Sequence, residues 1–219
     1  MVVTGKPVGH NHFEGVNGVN GLDGMNGRDE SDGSDVRVAL CAIGRMENRY
    51  AKEFVNHYRS LGFTKLYIYD NNHGEEERFE EVLQAEIDDG FVEVVEWRDR
   101  IDCQTVAYED CYARHGKEYD WMAFFDFDEF LVTEQGFQLS NFLGQLKPSF
   151  DCVLVNWQVM TDNGLIHYDP RPMMERFTEP LPNDKHVTYD FPENMHVKSI
   201  VRGGLPRLEW RNPHVPATE

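Results

Sequence analysis

The sequence predicts an α/β fold: an open, mostly parallel sheet with helices on both faces, preceded by a disordered tail rich in Gly, Asn and Asp. Three observations predict it. From Val36 to Val159, apolar runs of strand length alternate with segments of helical periodicity, the order that joins parallel strands by crossover helices. The strand candidates are nearly continuous in apolar residues, as strands covered on both faces must be. The first 35 residues are a different material, with glycine at every third position from Gly15 to Gly27.

That glycine period matches collagen, but the repeat holds no proline and only five triplets, too few for a triple helix. Its Gly, Asn and Asp bury too little surface to offset chain entropy. Residues 1–35 are therefore read as tail with no chemistry assigned, and 36–219 as one globular domain.

Within the domain, VRVALCAI (36–43) is the first strand. Tyr50, Phe54, Val55, Tyr58 and Leu61 recur at helical spacing, and Gly62 supplies the stop. KLYIYD (65–70) is the second strand. Phe79, Val82, Leu83 and Ile87 mark the second helix, with Glu75, Glu76 and Glu77 expected near its positive end. FVEVVEW (91–97) is the third strand, and Asp102 is expected to cap a third helix reaching His115. WMAFFDFD (121–128) is the fourth strand, 140–146 a short helix and CVLVNWQV (152–159) a further strand. Beyond Thr161, eight prolines from Pro170 to Pro216 break regularity, with HVKSIV (196–201) as one more strand.

Acidic residues number 39 against 21 lysines and arginines, a net charge of -18. Phosphate backbones repel such a chain, so nucleic acid is excluded as a general partner. No apolar run reaches the roughly 18 residues of a membrane span, so membrane contact would have to be peripheral. The four cysteines show no CxxC spacing and are read as buried thiols. That favours a reducing, cytoplasmic setting, the inner face of a membrane included.

The stretch WMAFFDFDEFL (121–131) carries the chemistry. Side chains two apart in an extended segment share a side, so Asp126 and Asp128 should face one way and Phe127 and Glu129 the other. Open α/β sheets bind ligands beyond the carboxyl ends of their strands, where Asp70 also lies. Two hard oxygen donors there suit Mg²⁺ or Mn²⁺; the bland alternative is a solvated strand end. An apolar strand ending in DxD occurs in haloacid-dehalogenase-like phosphatases and in nucleotide-sugar glycosyltransferases. Phosphatases of that kind place it on the first strand. Here three strands precede it, which fits the transferase order. A DxD phosphatase and an inactive carbohydrate-binding module stay open as alternatives.

The chain resembles glycosyltransferase family 92 and its bacterial family 2-like relatives of the GT-A fold. The resemblance rests on ALCAIGRMENRYAKEFVNHYRSLGFTKLYIYDNN, on QTVAYEDCYARHGKEYDWMAFFDFDEFL, and on the looser NWQVMTDNG, MMERF, VKSIV and PHVP. Where the family carries a K-N-E turn, this chain reads Arg45-Met46-Glu47. The resemblance implies a nucleotide-binding half at 36–132 and an acceptor half at 133–219. It implies a metal-dependent, inverting transfer from a nucleotide-diphosphate sugar to a glycan or other hydroxyl acceptor. By position it implies that Asp70 contacts the nucleoside, and that Asp126 and Asp128 hold Mn²⁺ or Mg²⁺ and the diphosphate, with His214 completing the metal site. Arg45 and Lys198, with Arg100 and Arg202 behind them, would offset diphosphate charge. Asp162, then Glu175, would deprotonate the acceptor.

Overall fold

Short β-branched pieces at the N-terminus form β1 (Val2–Thr4) and β2 (Val8–Gly9). A computed structural model describes these two strands together with residues 36–181 and 196–218. The remainder of the segment read as tail lies outside the described residues. Val2–Thr4 pairs with β7 (Phe130–Val132) and β8 (Cys152–Gln158), and Val8–Gly9 with β8.

The apolar run from Val36 becomes β3 (Val38–Gly44), followed by α1 (Asn48–Ser60). The helix stops at Gly62, whose φ of 85° places it in the left-handed region that glycine tolerates. There Gly62 N–H donates to the Arg59 carbonyl and Phe63 N–H to the Tyr58 carbonyl, while the Phe63 and Tyr58 rings touch at 5.1 Å. That pattern closes the orphan carbonyls of the last turn. Next come β4 (Lys65–Asp70), α2 (Glu80–Asp88), β5 (Val92–Glu96) and α3 (Gln104–His115).

Two local expectations are corrected here. Glu75, Glu76 and Glu77 precede α2, whose own first-turn acids are Glu80 and Glu81. Asp102 does not cap α3, because its φ of 47° turns it away from cap geometry and Cys103 takes the N-cap position without a side-chain bond.

The fourth expected strand is shorter than its sequence, β6 (Trp121–Phe124), and is followed by β7 (Phe130–Val132). Then come α4 (Leu139–Gly144), β8 (Cys152–Gln158), the one-turn α5 (Met173–Arg176), β9 (Val197–Arg202), and the hairpin β10 (Leu208–Trp210) with β11 (Pro216–Thr218).

The large sheet runs β5-β4-β3-β6-β9-β8 and continues through β1 to β7. The pairs β5/β4, β4/β3 and β3/β6 are parallel, and β9 runs against both β6 and β8. Alternate strand residues feed two cores. Leu40, Leu66, Ala123 and Ile200 pack with α1, α2 and α4 on one face, and Cys41, Tyr69, Phe124 and Val201 pack with α3 and Trp210 on the other. Helices thus cover both faces, as the sequence predicts. The cysteines carry no disulfide, and burial pushes the Cys41 thiol pKa up. No helix among the described residues is long and apolar enough to cross a membrane.

β9 leaves the sheet through Gly203, which sits against the chain entering β6. A Cβ there would lie 1.8 Å from the Tyr119 carbonyl oxygen. Gly203→Ala should therefore cost roughly 3 kcal/mol by overpacking, seen as a lower midpoint in thermal unfolding; an unchanged midpoint would contradict this packing.

Candidate active site at the carboxyl ends of the strands

The strand entering the acidic stretch ends at Phe124, and the next residues turn rather than extend. Glu129 N–H donates to the Asp126 carbonyl at 3.0 Å, closing a tight turn over residues 126–129. The extended-chain geometry assumed for these residues is thus corrected, yet the inward and outward division survives it. Phe127 and Glu129 are buried, Asp126 is half-buried and Asp128 exposed.

Each inward residue has a defined seat. The Phe127 ring stacks on Phe79 with centroids 5.1 Å apart and tilts against Phe54 at 4.7 Å. Below it lies Gly44 at the end of β3, where a Cβ would come within 2.6 Å of the ring. Glu129 accepts the Asp126 backbone N–H at 2.8 Å. Tyr58 secures the exit, donating to the Glu129 carbonyl at 2.8 Å and accepting from Leu131 N–H at 3.2 Å.

The Asp126 carboxylate is held from both sides. Its Oδ2 is 2.7 Å from the ammonium of Lys198, and its Oδ1 accepts from Gln104 Nε2 at 2.5 Å and from the Tyr108 hydroxyl at 2.9 Å. Lys198 has no solvent exposure and also faces Glu129 Oε2 at 3.4 Å. Burial, reinforced by the charge of Asp126, pushes the Glu129 pKa up to about 8, with Lys198 pulling the other way. Glu47 is pushed up to about 7, first by burial and then by Asp128, Glu77 and Asp126. These like charges share one corner of the molecule.

Beside the turn opens a cavity of about 640 Å³. Its walls come from the end of β3 through Arg45, from Asn71 after β4, from Asp102 to Thr105 at the start of α3, from Asp126, and from Arg211 to Pro213. This is where an open α/β sheet receives ligands. The first turn of α3 lines the cavity with no side-chain cap on its N–H groups, which favours negative charge there. Arg45 grips Glu76 through both Nε and Nη2, at 2.9 and 2.6 Å, and holds that carboxyl down at about 2. Met46, Asp99 and Asp102, in the loops around this region, all have φ between 47° and 61°. Strained backbone of this kind concentrates at working sites.

The residues expected from sequence divide. Asp126 and Arg45 line the cavity. Lys198 stands behind Asp126 rather than in the cavity. Asp70 is buried, its Oδ2 2.8 Å from Arg98 Nη1 and its Oδ1 accepting from the Asn72 backbone and side chain; the residue at that strand end facing the cavity is Asn71. Arg98 also donates to the carbonyls of Gly74, Glu76 and Glu77, fixing the loop that presents Glu76. Asp162 is exposed and folds back on Gly164 N–H, and Glu175 is exposed on α5. Neither lines the cavity. Arg100 lies over the Trp97 ring at 3.7 Å, and Arg202 donates to the carbonyls of Phe150 and Lys147.

The His214 ring packs between His196 and Trp157, with centroids 4.8 and 5.1 Å away, and its Nδ1 is buried without a partner. Burial, then the charge of Lys198, lowers its pKa, which favours the neutral ring. Asp128, Asp126 and Glu47 carry hard oxygens of the kind a divalent cation takes, but both oxygens of Asp126 are engaged by Lys198, Gln104 and Tyr108. Among the described residues no three His, Cys, Asp or Glu side chains are already gathered as a metal cage.

A family model for glycosyltransferase family 92 matches residues 36–202. The chain belongs to glycosyltransferase family 92. The match spans β3 to β9 and stops short of Arg211 and His214. A family 92 protein of Ricinus communis is 28% identical over 107 residues, covering 48% of this chain and 18% of the relative. One of Arabidopsis thaliana is 28% identical over 136 residues, covering 59% of this chain and 23% of the relative. The chain thus spans about a fifth of the length of these curated relatives. No solved structure matches it. Within this family 92 domain, Gln104, Tyr108 and Glu129 are site residues that sequence reasoning passed over, although Gln104 and Tyr108 lie one turn apart on an expected helix.

The raised Glu47 pKa has a consequence for stability. Its folded value, about 7, exceeds the ordinary carboxyl value, so folding is favoured while the group is protonated. That contribution is full below the unfolded value of roughly 4.3 and fades as pH rises through 7. In the presence of chelator, Glu47→Gln should raise the melting temperature at pH 8, and not at pH 4. Equal effects at both pH values would contradict the crowding of carboxylates at this corner.

Proposed function

We propose that this domain binds the nucleotide-diphosphate sugar of a glycosyltransferase and takes part in inverting transfer of the sugar to a glycan or other hydroxyl acceptor. The observation that carries this reading is the cavity itself. A carboxylate fixed at the end of β6 faces a wall built from two arginines and an uncapped helix start. Guanidinium and helix N–H groups suit a diphosphate, and Asn71, whose amide donates to the Trp97 and Arg100 carbonyls, stands beside them at the end of β4.

Breaking the bond between sugar and diphosphate builds negative charge on the leaving oxygen. Arg211 and the N–H groups opening α3 would stabilise that charge, with Arg45 joining them on release from Glu76. A Mn²⁺ or Mg²⁺ ion, when bound through Asp128 with Asp126 beside it, supplies further charge stabilisation. Inversion needs a base at the acceptor hydroxyl, with Asp162 as the first candidate and Glu175 as the second.

The phosphatase alternative fares worse on physical grounds. A nucleophilic carboxylate needs an oxygen free to attack, and both oxygens of Asp126 are engaged by Lys198, Gln104 and Tyr108. An inactive carbohydrate-binding module would have no use for an uncapped helix start and arginines at its cavity wall.

Calorimetric titration with uridine and guanosine diphosphates, with Mn²⁺ or with chelator, tests the reading. At least one nucleotide should bind, with chelator or Asp128→Ala weakening it by roughly 10- to 100-fold. If neither nucleotide binds under any condition, the donor-site reading is wrong; binding indifferent to both chelator and Asp128→Ala would remove the metal from it.

A further inference from the structure

We propose that Lys198 is a positioning residue: its ammonium never meets the diphosphate, but holds the Asp126 carboxylate in place and aimed into the cavity. The proposal rests on the donor-site reading above and assigns this lysine a different task from direct neutralisation of the ligand.

The register places Lys198 for that task. Phe124 of β6 pairs with Ser199 of β9, so Lys198 lies beside the chain just as it leaves β6 for the turn. On its other side β9 pairs with β8, Lys198 opposite Val155. The side chain is fully enclosed and its ammonium meets two carboxylates, Asp126 at 2.7 Å and Glu129 at 3.4 Å. Glu129 in turn accepts the backbone N–H of Asp126 at 2.8 Å. The lysine thus grips the turn at its carboxylate directly and at its main chain through Glu129.

A buried ammonium is retained only with compensating charge, and Asp126 provides it. The pair differs from a purely internal bridge in exposure. The Asp126 side chain is 32% exposed while that of Lys198 is at 0%. The charge is therefore anchored in the interior and delivered at the cavity wall. Gln104 and Tyr108 engage the opposite oxygen, which fixes the carboxylate plane. A lysine reaching a phosphate would need an open path; this one is closed by the very group it holds.

The test uses the full chain as wild type, Lys198→Met, Lys198→Arg, Asp126→Asn and the double variant Lys198→Met/Asp126→Asn. Affinity for uridine and guanosine diphosphates with Mn²⁺ is read by calorimetry, and the Asp126 side-chain position by crystallography. Each charge-removing single variant should weaken binding by about 10- to 100-fold. The double should be no weaker than the worse single, and Lys198→Arg should recover part of the loss. Should Lys198→Met not fold, Lys198→Gln takes its place.

Additive losses in the double variant would show that Lys198 touches the ligand itself and would overturn the proposal, as would unchanged binding in a folded Lys198→Met. If the wild type binds neither nucleotide, the donor-site reading fails on its own account. The crystal structures then decide: an Asp126 carboxylate that keeps its place without the lysine overturns the positioning role, and one that swings away supports it.

Discussion

An ammonium group with no access to water cannot stand alone, and the architecture around Lys198 answers that constraint. Its charge is met by Asp126 and Glu129, both on the turn that follows β6. Meeting it requires a strand beside β6 that carries a lysine to the right height, and β9 is that strand. Gln104 and Tyr108 of α3 complete the grip from the other sheet face. One electrostatic demand therefore joins the reversed strand, the acidic turn and the helix lining the cavity. The parallel strands supply the platform; the antiparallel one supplies the charge that makes its edge specific.

A second ion pair performs a quieter version of the same task. Asp70 and Arg98 are both nearly enclosed, and the guanidinium spends its remaining donors on carbonyls of the loop after β4. That loop carries Glu76 to Arg45 at the cavity edge. Polar groups along these strand ends thus work in tiers, an inner pair fixing backbone and an outer one facing the opening. The C-terminal segment is secured by different means, with Ser199 Oγ donating to the His214 carbonyl at 2.6 Å and Trp210 N–H donating to Glu109.

Most of the layered fold was legible in the sequence because burial on both faces leaves an unbroken apolar signature. Val38–Gly44, Lys65–Asp70 and Val197–Arg202 fall within or beside the runs that predict them. Short pairings such as β7 and β10 with β11 were not legible, since three residues carry no measurable period. At the site, the acids announced themselves by their cost in an apolar block. Their geometry did not, because alternation presumes an extended chain and the turn at 126–129 breaks that premise. The partner of Asp126 was visible in principle: a lone lysine inside HVKSIV poses the same burial problem with the opposite sign. Reading the two as one pair needed the knowledge that β9 lies next to β6, which no local pattern contains. Asp70 poses a related problem, since a strand-end acid looks equally available whether or not an arginine from a later loop turns in to meet it.

The contact between Gly44 and Phe127 makes two distant positions answerable to each other in volume. A larger residue at the end of β3 must be matched by a smaller ring at the centre of D-F-D, or the acidic turn rides up off the sheet. The spacer between the two aspartates, chemically silent in itself, thus sets the height at which they stand, and a glycine more than eighty residues upstream sets the spacer.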